Sequence, residues 1–287
     1  MAFKQPPEIT AEAVETGVKK SEQSWDKTLL GAFLAGAYIA FGALLAVVVS
    51  AGLSEKLWGN IPVLITGGVF TVGLMLVIIG GAELATGNMA TAGIAVFKRR
   101  VTVGRYSFHL ALALLGNLIG ALLVAYFFAY KSGLLDIAMT KERLGAIAEL
   151  KGSTESADQI FIRAIGCNWL VCLAVWMALG AEDIGGKIMA IFFPIMAFVA
   201  LGFDHVVANM FFLPTAMFAD VGGLGWGDVA NNLLWAGLGN LVGAGVFVAG
   251  AYWYLYARDE DDEPEPPAPA ASDGSTTPAR DPVVAGR

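Results

Sequence analysis

Two nine-residue stretches decide the fold of this chain: GAELATGNM, residues 81–89, and GFDHVVANM, residues 202–210. Both fit the pattern Gly-x-acid-x4-Asn-Met, and both interrupt long apolar segments with polar side chains. A second pair of phrases, LGNLIGA from residue 115 and LGNLVGA from residue 238, follows in the same order. The first pair is separated by 121 residues and the second by 123. Nearly equal offsets of two unrelated phrases indicate a duplicated unit.

The composition places this unit in a membrane. Of the 287 residues, 56% are hydrophobic and only 15% are charged, whereas a soluble chain carries about 25% charged residues. Several apolar runs exceed the roughly 20 residues that cross a bilayer as a helix. The sequence therefore predicts an all-α membrane protein with six transmembrane segments, at residues 28–52, 61–97, 104–130, 160–181, 187–218 and 229–257.

Each copy of the unit contains three segments, with repeat 1 at about residues 28–131 and repeat 2 at about 160–257. Three is an odd number, so the two repeats must be inverted relative to each other. Segments 2 and 5 hold the interruptions, and freed backbone is tolerated in a membrane only where it is buried in protein or lines a cavity. We expect the second half-helices to begin near Asn88 and Asn209, with their positive N-termini favouring an anion. Asn117 and Asn240 are expected to bond across closely packed helices.

The termini flank this channel domain, which covers residues 28–257. Residues 1–27 are predicted to contain a cytoplasmic amphipathic helix, and residues 258–287 to be a disordered, acidic, Pro-rich cytoplasmic tail. Twelve of the 18 Lys and Arg residues fall in the termini and the even-numbered loops. The positive-inside rule then predicts that both termini are cytoplasmic, in a multi-pass protein of the inner membrane.

Three motifs in order identify a family resemblance: GAELATG from Gly81, AIGCNWLVCLA from Ala164, and GFDHVVANMFF from Gly202. The chain resembles the formate-nitrite transporter family from about Gly31 to Tyr256. The resemblance implies an aquaporin-like protomer, a homopentamer with one pore in each protomer, and passage of small monovalent anions or their acids.

The resemblance also assigns residues to a substrate pathway with two apolar constrictions around a small chamber that holds a central histidine. Ala85 stands where the family usually has a bulky apolar residue, which suggests a wider constriction. Asp204 replaces the more usual glutamate, and Lys151 is a candidate for the lysine that the family has near the extracellular entrance to the fourth helix. The pathway residues carried over are Phe70, Leu74, Glu83, Leu84, Ala85, Thr86, Lys151, Asn168, Val171, Phe198, Asp204, His205 and Asn209.

Ionisable residues inside a membrane are costly, so they are functional candidates. His205 could be a proton donor or a hydrogen-bonded structural residue, and the motif favours function. Glu83 and Asp204 occupy equivalent positions in the repeat. Each carboxylate could have a structural role instead of a functional one, by accepting hydrogen bonds from the N–H groups of the broken backbone. His109 lies near a predicted cytoplasmic helix end, where it is interpreted as interfacial and without a role.

These observations predict a channel or transporter, not an enzyme, with formate as the first candidate substrate and His205 assisting by protonation or by hydrogen bonding. Nitrite, hydrosulfide and short-chain carboxylates are alternatives within the class. A haem-binding redox subunit with His109 and His205 as axial ligands is the alternative from another class, and a structural membrane anchor is a third. The expected partners are anions, protons and the lipid bilayer; no cofactor, metal or nucleic acid is expected, because nucleotide-binding motifs and a Cys-rich metal site are absent from the sequence.

Overall fold

The computed structural model describes residues 3–259, which are almost entirely helical. The predicted disordered tail lies outside the described residues except for its first two positions. Short π-helical turns extend α6 over Val124–Lys131 and α7 over Leu150–Thr154, and join α11 to α12 over Gly245–Gly250. The α-helices of the described part are α1 Pro6–Glu22, α2 Trp25–Ser50, α3 Glu55–Trp58, α4 Ile61–Gly80, α5 Ala85–Phe97, α6 Val103–Leu123, α7 Ala138–Glu149, α8 Ala157–Gly180, α9 Ile184–Ala200, α10 Val206–Phe218, α11 Trp226–Ala244 and α12 Ala251–Tyr256.

Five of the helices in residues 3–259 are long and apolar enough to cross a membrane, judged by length and composition: Trp25–Ser50, Ile61–Gly80, Val103–Lys131, Ala157–Gly180 and Trp226–Tyr256. The remaining predicted segment, residues 187–218, is divided between α9 and α10, which are shorter apolar helices of 17 and 13 residues. The chain therefore has the helices of a multi-pass membrane protein.

Two helix pairs form the tightest packing, α2 with α6 and α8 with α11. The glycines of the repeated LGNL phrases make this possible. A Cβ added at Gly120 would lie 2.0 Å from the carbonyl oxygen of Phe33, and one at Gly243 would lie 2.3 Å from that of Ile165. Only glycine allows backbones to approach this closely, which confirms the packing role predicted for these phrases.

Both predicted interruptions are present. Helix α4 ends at Gly80 and α5 begins at Ala85, while α9 ends at Ala200 and α10 begins at Val206. Gly81 and Gly202 have φ angles of 74° and 71°, a left-handed conformation that glycine adopts without steric cost. The second half-helices thus begin three residues earlier than predicted.

The two asparagines of the LGNL phrases hold the broken backbone. Asn117 accepts a hydrogen bond from the Ala85 N–H at 3.0 Å, and donates to the carbonyl oxygens of Ala32 and Glu83 at 2.7 and 3.0 Å. Asn240 forms the same three bonds in the second half, with the Val206 N–H at 2.9 Å and with the carbonyl oxygens of Ala164 and Asp204 at 2.8 and 2.9 Å. The alternative in which the two carboxylates hold the break is therefore wrong, because the amides satisfy these backbone groups.

Candidate functional site

A cavity of about 590 Å³ opens between α1 and the break that follows α4. We call it the α1-side cavity. Lys20, in the last turn of α1, donates a hydrogen bond to Glu83 Oε2 at 2.9 Å. Asn88 donates to the same oxygen at 2.8 Å and lies 3.0 Å from His109 Nε2. The N-terminal amphipathic helix thus supplies a cation to the break.

A second cavity of about 260 Å³ opens next to α7 and the break that follows α9. We call it the α7-side cavity. Lys151 donates to Asp204 Oδ1 at 2.9 Å, and Asn209 donates to the same oxygen at 2.8 Å. Asn209 also donates to Asn232 Oδ1 at 2.8 Å, and Asn232 donates to the Lys151 carbonyl oxygen at 2.9 Å. Lys151 therefore contacts the acid of its break.

The same polar network is present at both breaks. In each network a lysine donates a hydrogen bond to a carboxylate, which also accepts one from an asparagine. The asparagine in turn contacts a side chain on the next helix. The two sets are Lys20, Glu83, Asn88 and His109, and Lys151, Asp204, Asn209 and Asn232. They differ in chemistry at the last member, where an imidazole stands on the α1 side and an amide on the α7 side.

A small chamber of about 10 Å³ lies between the two cavities. Leu84 also borders the α1-side cavity, whereas Phe70, Phe198 and His205 also border the α7-side cavity. The Phe70 and Phe198 rings meet edge to face with their centroids 5.7 Å apart. The chamber is lined by Ile39, Phe70, Leu74, Leu84, Val171, Ile195, Phe198 and His205. A water needs at least about 10–15 Å³ of cavity volume, so the chamber is nearly filled by its mostly apolar side chains.

His205 is the polar group of this chamber and the residue that precedes α10. Its Nδ1 accepts a hydrogen bond from the Ala208 N–H at 3.2 Å, and its Nε2 lies 2.8 Å from Thr86 Oγ1. An Nδ1 that accepts from a backbone N–H carries no proton, so in the neutral ring the proton is on Nε2. His205 then donates to the Thr86 hydroxyl, which leaves the hydroxyl hydrogen of Thr86 free to donate further.

The N-termini of α5 and α10 meet at this histidine–threonine contact. Thr86 is the second residue of α5, and His205 directly precedes α10. The first N–H groups of each helix have no partner within the helix, and they carry partial positive charge. Both half-helices therefore direct positive potential at the centre of the molecule, as the sequence predicted.

Ala85 and Asn168, two of the predicted pathway residues, line neither the chamber nor either cavity. Ala85 is fully buried against Ala32 and Ala113 rather than facing the constriction, because its N–H is held by the amide of α6. The expectation that it widens a constriction is therefore wrong. Asn168 donates to the carbonyl oxygens of Thr86 and Asn240 at 3.2 and 2.8 Å, and so it joins the two half-structures instead of lining the route.

Sequence reasoning missed several residues of the site. His109 is only 3% exposed and contacts Asn88, so its interpretation as an interfacial residue is wrong. Lys20 and Asn232 complete the two networks, while Ile39 and Ile195 line the chamber. Within residues 3–259, no group of three or more His, Cys, Asp or Glu side chains is placed to hold a metal ion.

Comparison with known proteins gives a consistent result. Residues 7–254 match the family described as Formate/nitrite transporter. The chain is 46% identical over 258 residues to the uncharacterized transporter YrhG of Bacillus subtilis, which covers 90% of this chain and 96% of the relative. It is 42% identical over 258 residues to the formate channel BtFdhC of Bacillus thuringiensis, covering 90% and 98% of the two chains.

A solved structure described as a pentameric formate channel with formate bound is similar to this protein, with a TM-score of 0.71 and 29% sequence identity. The similarity covers 81% of this chain and 97% of that one.

Proposed function

The chain belongs to the formate/nitrite transporter family of anion channels and transporters, and from this we propose that its substrate is formate. Two observations on relatives favour formate over nitrite: BtFdhC is named a formate channel, and the pentameric neighbour holds formate. Family members are not enzymes, and family membership does not favour the haem-binding alternative. The contacts of His205 and His109 with Thr86 and Asn88 also leave neither ring poised as a haem ligand.

The single observation that carries the mechanism is the apolar chamber between two cavities that each hold a lysine. A formate ion is attracted into either cavity by Lys20 or Lys151 and by the half-helix N-termini. A bare anion in the apolar chamber is expensive, by several kcal/mol. Protonating a carboxylate with a pKa of about 4 at pH 7 costs about 4 kcal/mol, so the neutral acid is a competitive crossing species.

In this proposal His205 acts as a hydrogen-bond donor through Thr86 and not as the source of the proton. Lending a proton from Nε2 would require an imidazolium, and its extra Nδ1–H would break the bond from Ala208. Asn209 has a complementary role. Both of its N–H groups are engaged, and its buried Oδ1 has no donor among the described residues, so this oxygen can accept from the O–H of the acid.

We propose further that the protomer is aquaporin-like, with six spans in two inverted three-helix repeats and both termini cytoplasmic. Support comes from the networks described above, in which corresponding residues of the two halves form matching bonds at opposite breaks. The α1-side cavity would then face the cytoplasm and the α7-side cavity the exterior. The pentameric state of the structural neighbour supports a homopentamer, and residues 28–257 are proposed as the channel domain.

Flux measurements in proteoliposomes test the substrate. Formate, nitrite, hydrosulfide, acetate and lactate are compared by stopped-flow at several pH values, with empty liposomes as the control. We expect formate to cross fastest of the five relative to the empty liposomes. Faster flux of nitrite or hydrosulfide would overturn the substrate proposal but leave the family assignment unchanged.

The role of His205 is tested with a matched pair of variants. Asn is a favoured residue before a helix, so His205→Asn keeps both the bond from Ala208 and a donor, and we expect it to retain the wild-type pH profile of flux. His205→Leu places at this position the residue found at the equivalent Leu84, and removes the donor. Its flux should fall roughly 10- to 100-fold, as expected for loss of a hydrogen bond worth about 1.5–3 kcal/mol. A changed pH profile in a well-assembled His205→Asn protein would show that the histidine does supply the proton.

A further inference from the structure

Glu155 is a buried acid that the proposed mechanism does not use. It lies between the π-helical turn Leu150–Thr154 and the start of α8, outside the membrane-spanning segments. The residue is 7% exposed and forms an ion pair with Arg163 through Oε1. Asp204, fully buried, uses its Oδ1 for Lys151 and Asn209. Each acid thus has one oxygen committed to cationic or amide donors.

The second oxygen of each acid has no such donor. Glu155 Oε2 and Asp204 Oδ2 are both buried, and neither receives an N–H or O–H from the described residues. The two carboxyl groups are close enough to interact with each other directly. Two ionised carboxylates repel at this separation, whereas a single proton between them satisfies both oxygens.

The surroundings place this proton on Glu155 near neutral pH. Burial raises the pKa of Glu155 to about 7, and the hydrogen bond and negative charge of Asp204 contribute to the rise, while Lys151 and Arg163 oppose the shift. Lys151 pairs with Asp204 Oδ1, so its positive charge favours the shared proton on Glu155. The other titratable groups near the pair are Cys167 on α8 and His205 beside Asp204.

We propose that Glu155 and Asp204 form a proton-binding site beside Lys151, the lysine that lines the α7-side cavity. With the proton bound, the group of Lys151, Arg163, Asp204 and Glu155 carries a net charge of +1. Without it the group is neutral. The proton therefore sets the charge that an anion meets in this cavity, and capture from this side weakens as the pH rises through about 7. This last consequence rests on the proposed anion transport, whereas the shared proton does not.

The α1-side cavity lacks an equivalent acid at the matching position of the described chain. Glu155 directly precedes Ser156, the residue before α8, and Gln23 directly precedes Ser24, the residue before α2. Gln23 lines the α1-side cavity together with Lys20 and Glu83. An amide cannot release a proton, so the α1 side has no counterpart of the shared proton at this position although the two lysine–carboxylate pairs match.

Infrared difference spectroscopy on the full-length protein in liposomes tests the site without transport. Glu155→Gln is the main variant, because Gln keeps an acceptor for Arg163 and supplies an N–H to Asp204. Glu149→Gln, which removes an exposed acid of α7, is the control. A protonated-carboxyl band that disappears with a midpoint near pH 7 is expected in the wild type and the control and not in Glu155→Gln. The same band in Glu155→Gln, or no such band in the wild type, would overturn the proposal.

Flux into right-side-out spheroplasts tests the consequence for transport. Formate uptake by Glu155→Gln is divided by wild-type uptake at each external pH. The concentration of formic acid changes with pH equally for both proteins, so it cancels in this ratio. We expect a ratio near 1 at pH 5.5 that rises roughly tenfold by pH 8.5, the effect of one unit charge at about 10 Å in an effective dielectric of about 20. A flat ratio would refute control by the proton. Absence of formate uptake in the wild type would instead refute the proposed substrate, and would leave the infrared result standing.

Discussion

Removing the lysine of the α7-side network should destabilise the protein more than removing its counterpart on the α1 side. In Lys151→Met, Asp204 would keep a fully buried carboxylate without the cation that now lies 2.9 Å away. Breaking a buried ion pair from one side costs about 3–5 kcal/mol, because the remaining charge is desolvated and unpaired. Lys20→Met should cost less, since the Lys20 side chain is 24% exposed and water reaches the pair.

A double-mutant cycle separates the energy of the Lys151–Asp204 ion pair from the effect of losing either side chain alone. Lys151→Met, Asp204→Asn and the double variant are purified as oligomers, and their thermal unfolding is followed by tryptophan fluorescence. The double variant should recover most of the stability lost in Lys151→Met, because the amide that replaces the Asp204 carboxylate carries no charge and can still accept from Asn209. The reasoning would be refuted by a Lys151→Met protein as stable as the wild type, or by a double variant no more stable than that single variant.

Two further variants test the break and the constriction. Asn117→Ala leaves the Ala85 N–H and the Glu83 carbonyl without their partner. Each orphaned group costs about 1–3 kcal/mol, with smaller values measured in membrane proteins, so thermal unfolding should show a loss of stability of roughly 2–4 kcal/mol. An unchanged melting temperature would mean that other groups hold the break. Phe198→Ala removes one ring of the edge-to-face pair and should raise proteoliposome flux of lactate more than that of formate, whereas an equal change for both anions would show that this ring does not select by size.

Much of the fold could be predicted because its two key motifs each occur twice in the sequence. The repeated phrases around Asn88 and Asn209 located the breaks, and those around Asn117 and Asn240 located the close helix packing. The exact start of α5 could not be predicted, because Leu84 precedes it and leucine gives no capping signal. The side chain of Ala85 was misplaced for a related reason, since its direction depends on an amide from a distant helix.

The site was predicted less completely than the fold. His205, Thr86 and the Phe70–Phe198 pair came from family motifs, whereas Lys20 and Asn232 lie outside any motif. A signal existed for Asn232, because His109 precedes it by 123 residues, the offset of the LGNL phrases. Lys20 precedes Lys151 by 131 residues, which differs from the offsets of the repeated phrases, and only the structure shows that α1 reaches the break.

The small volume of the central chamber has a consequence for the energy balance of a cell. A space of about 10 Å³ holds one water at most, so no continuous file of water joins the two cavities. In the proposed mechanism, protons that hop along water chains are stopped at the phenylalanine pair and cross bound to a substrate molecule. A pore of this design can remain in an energy-conserving membrane without short-circuiting the proton gradient that the membrane maintains.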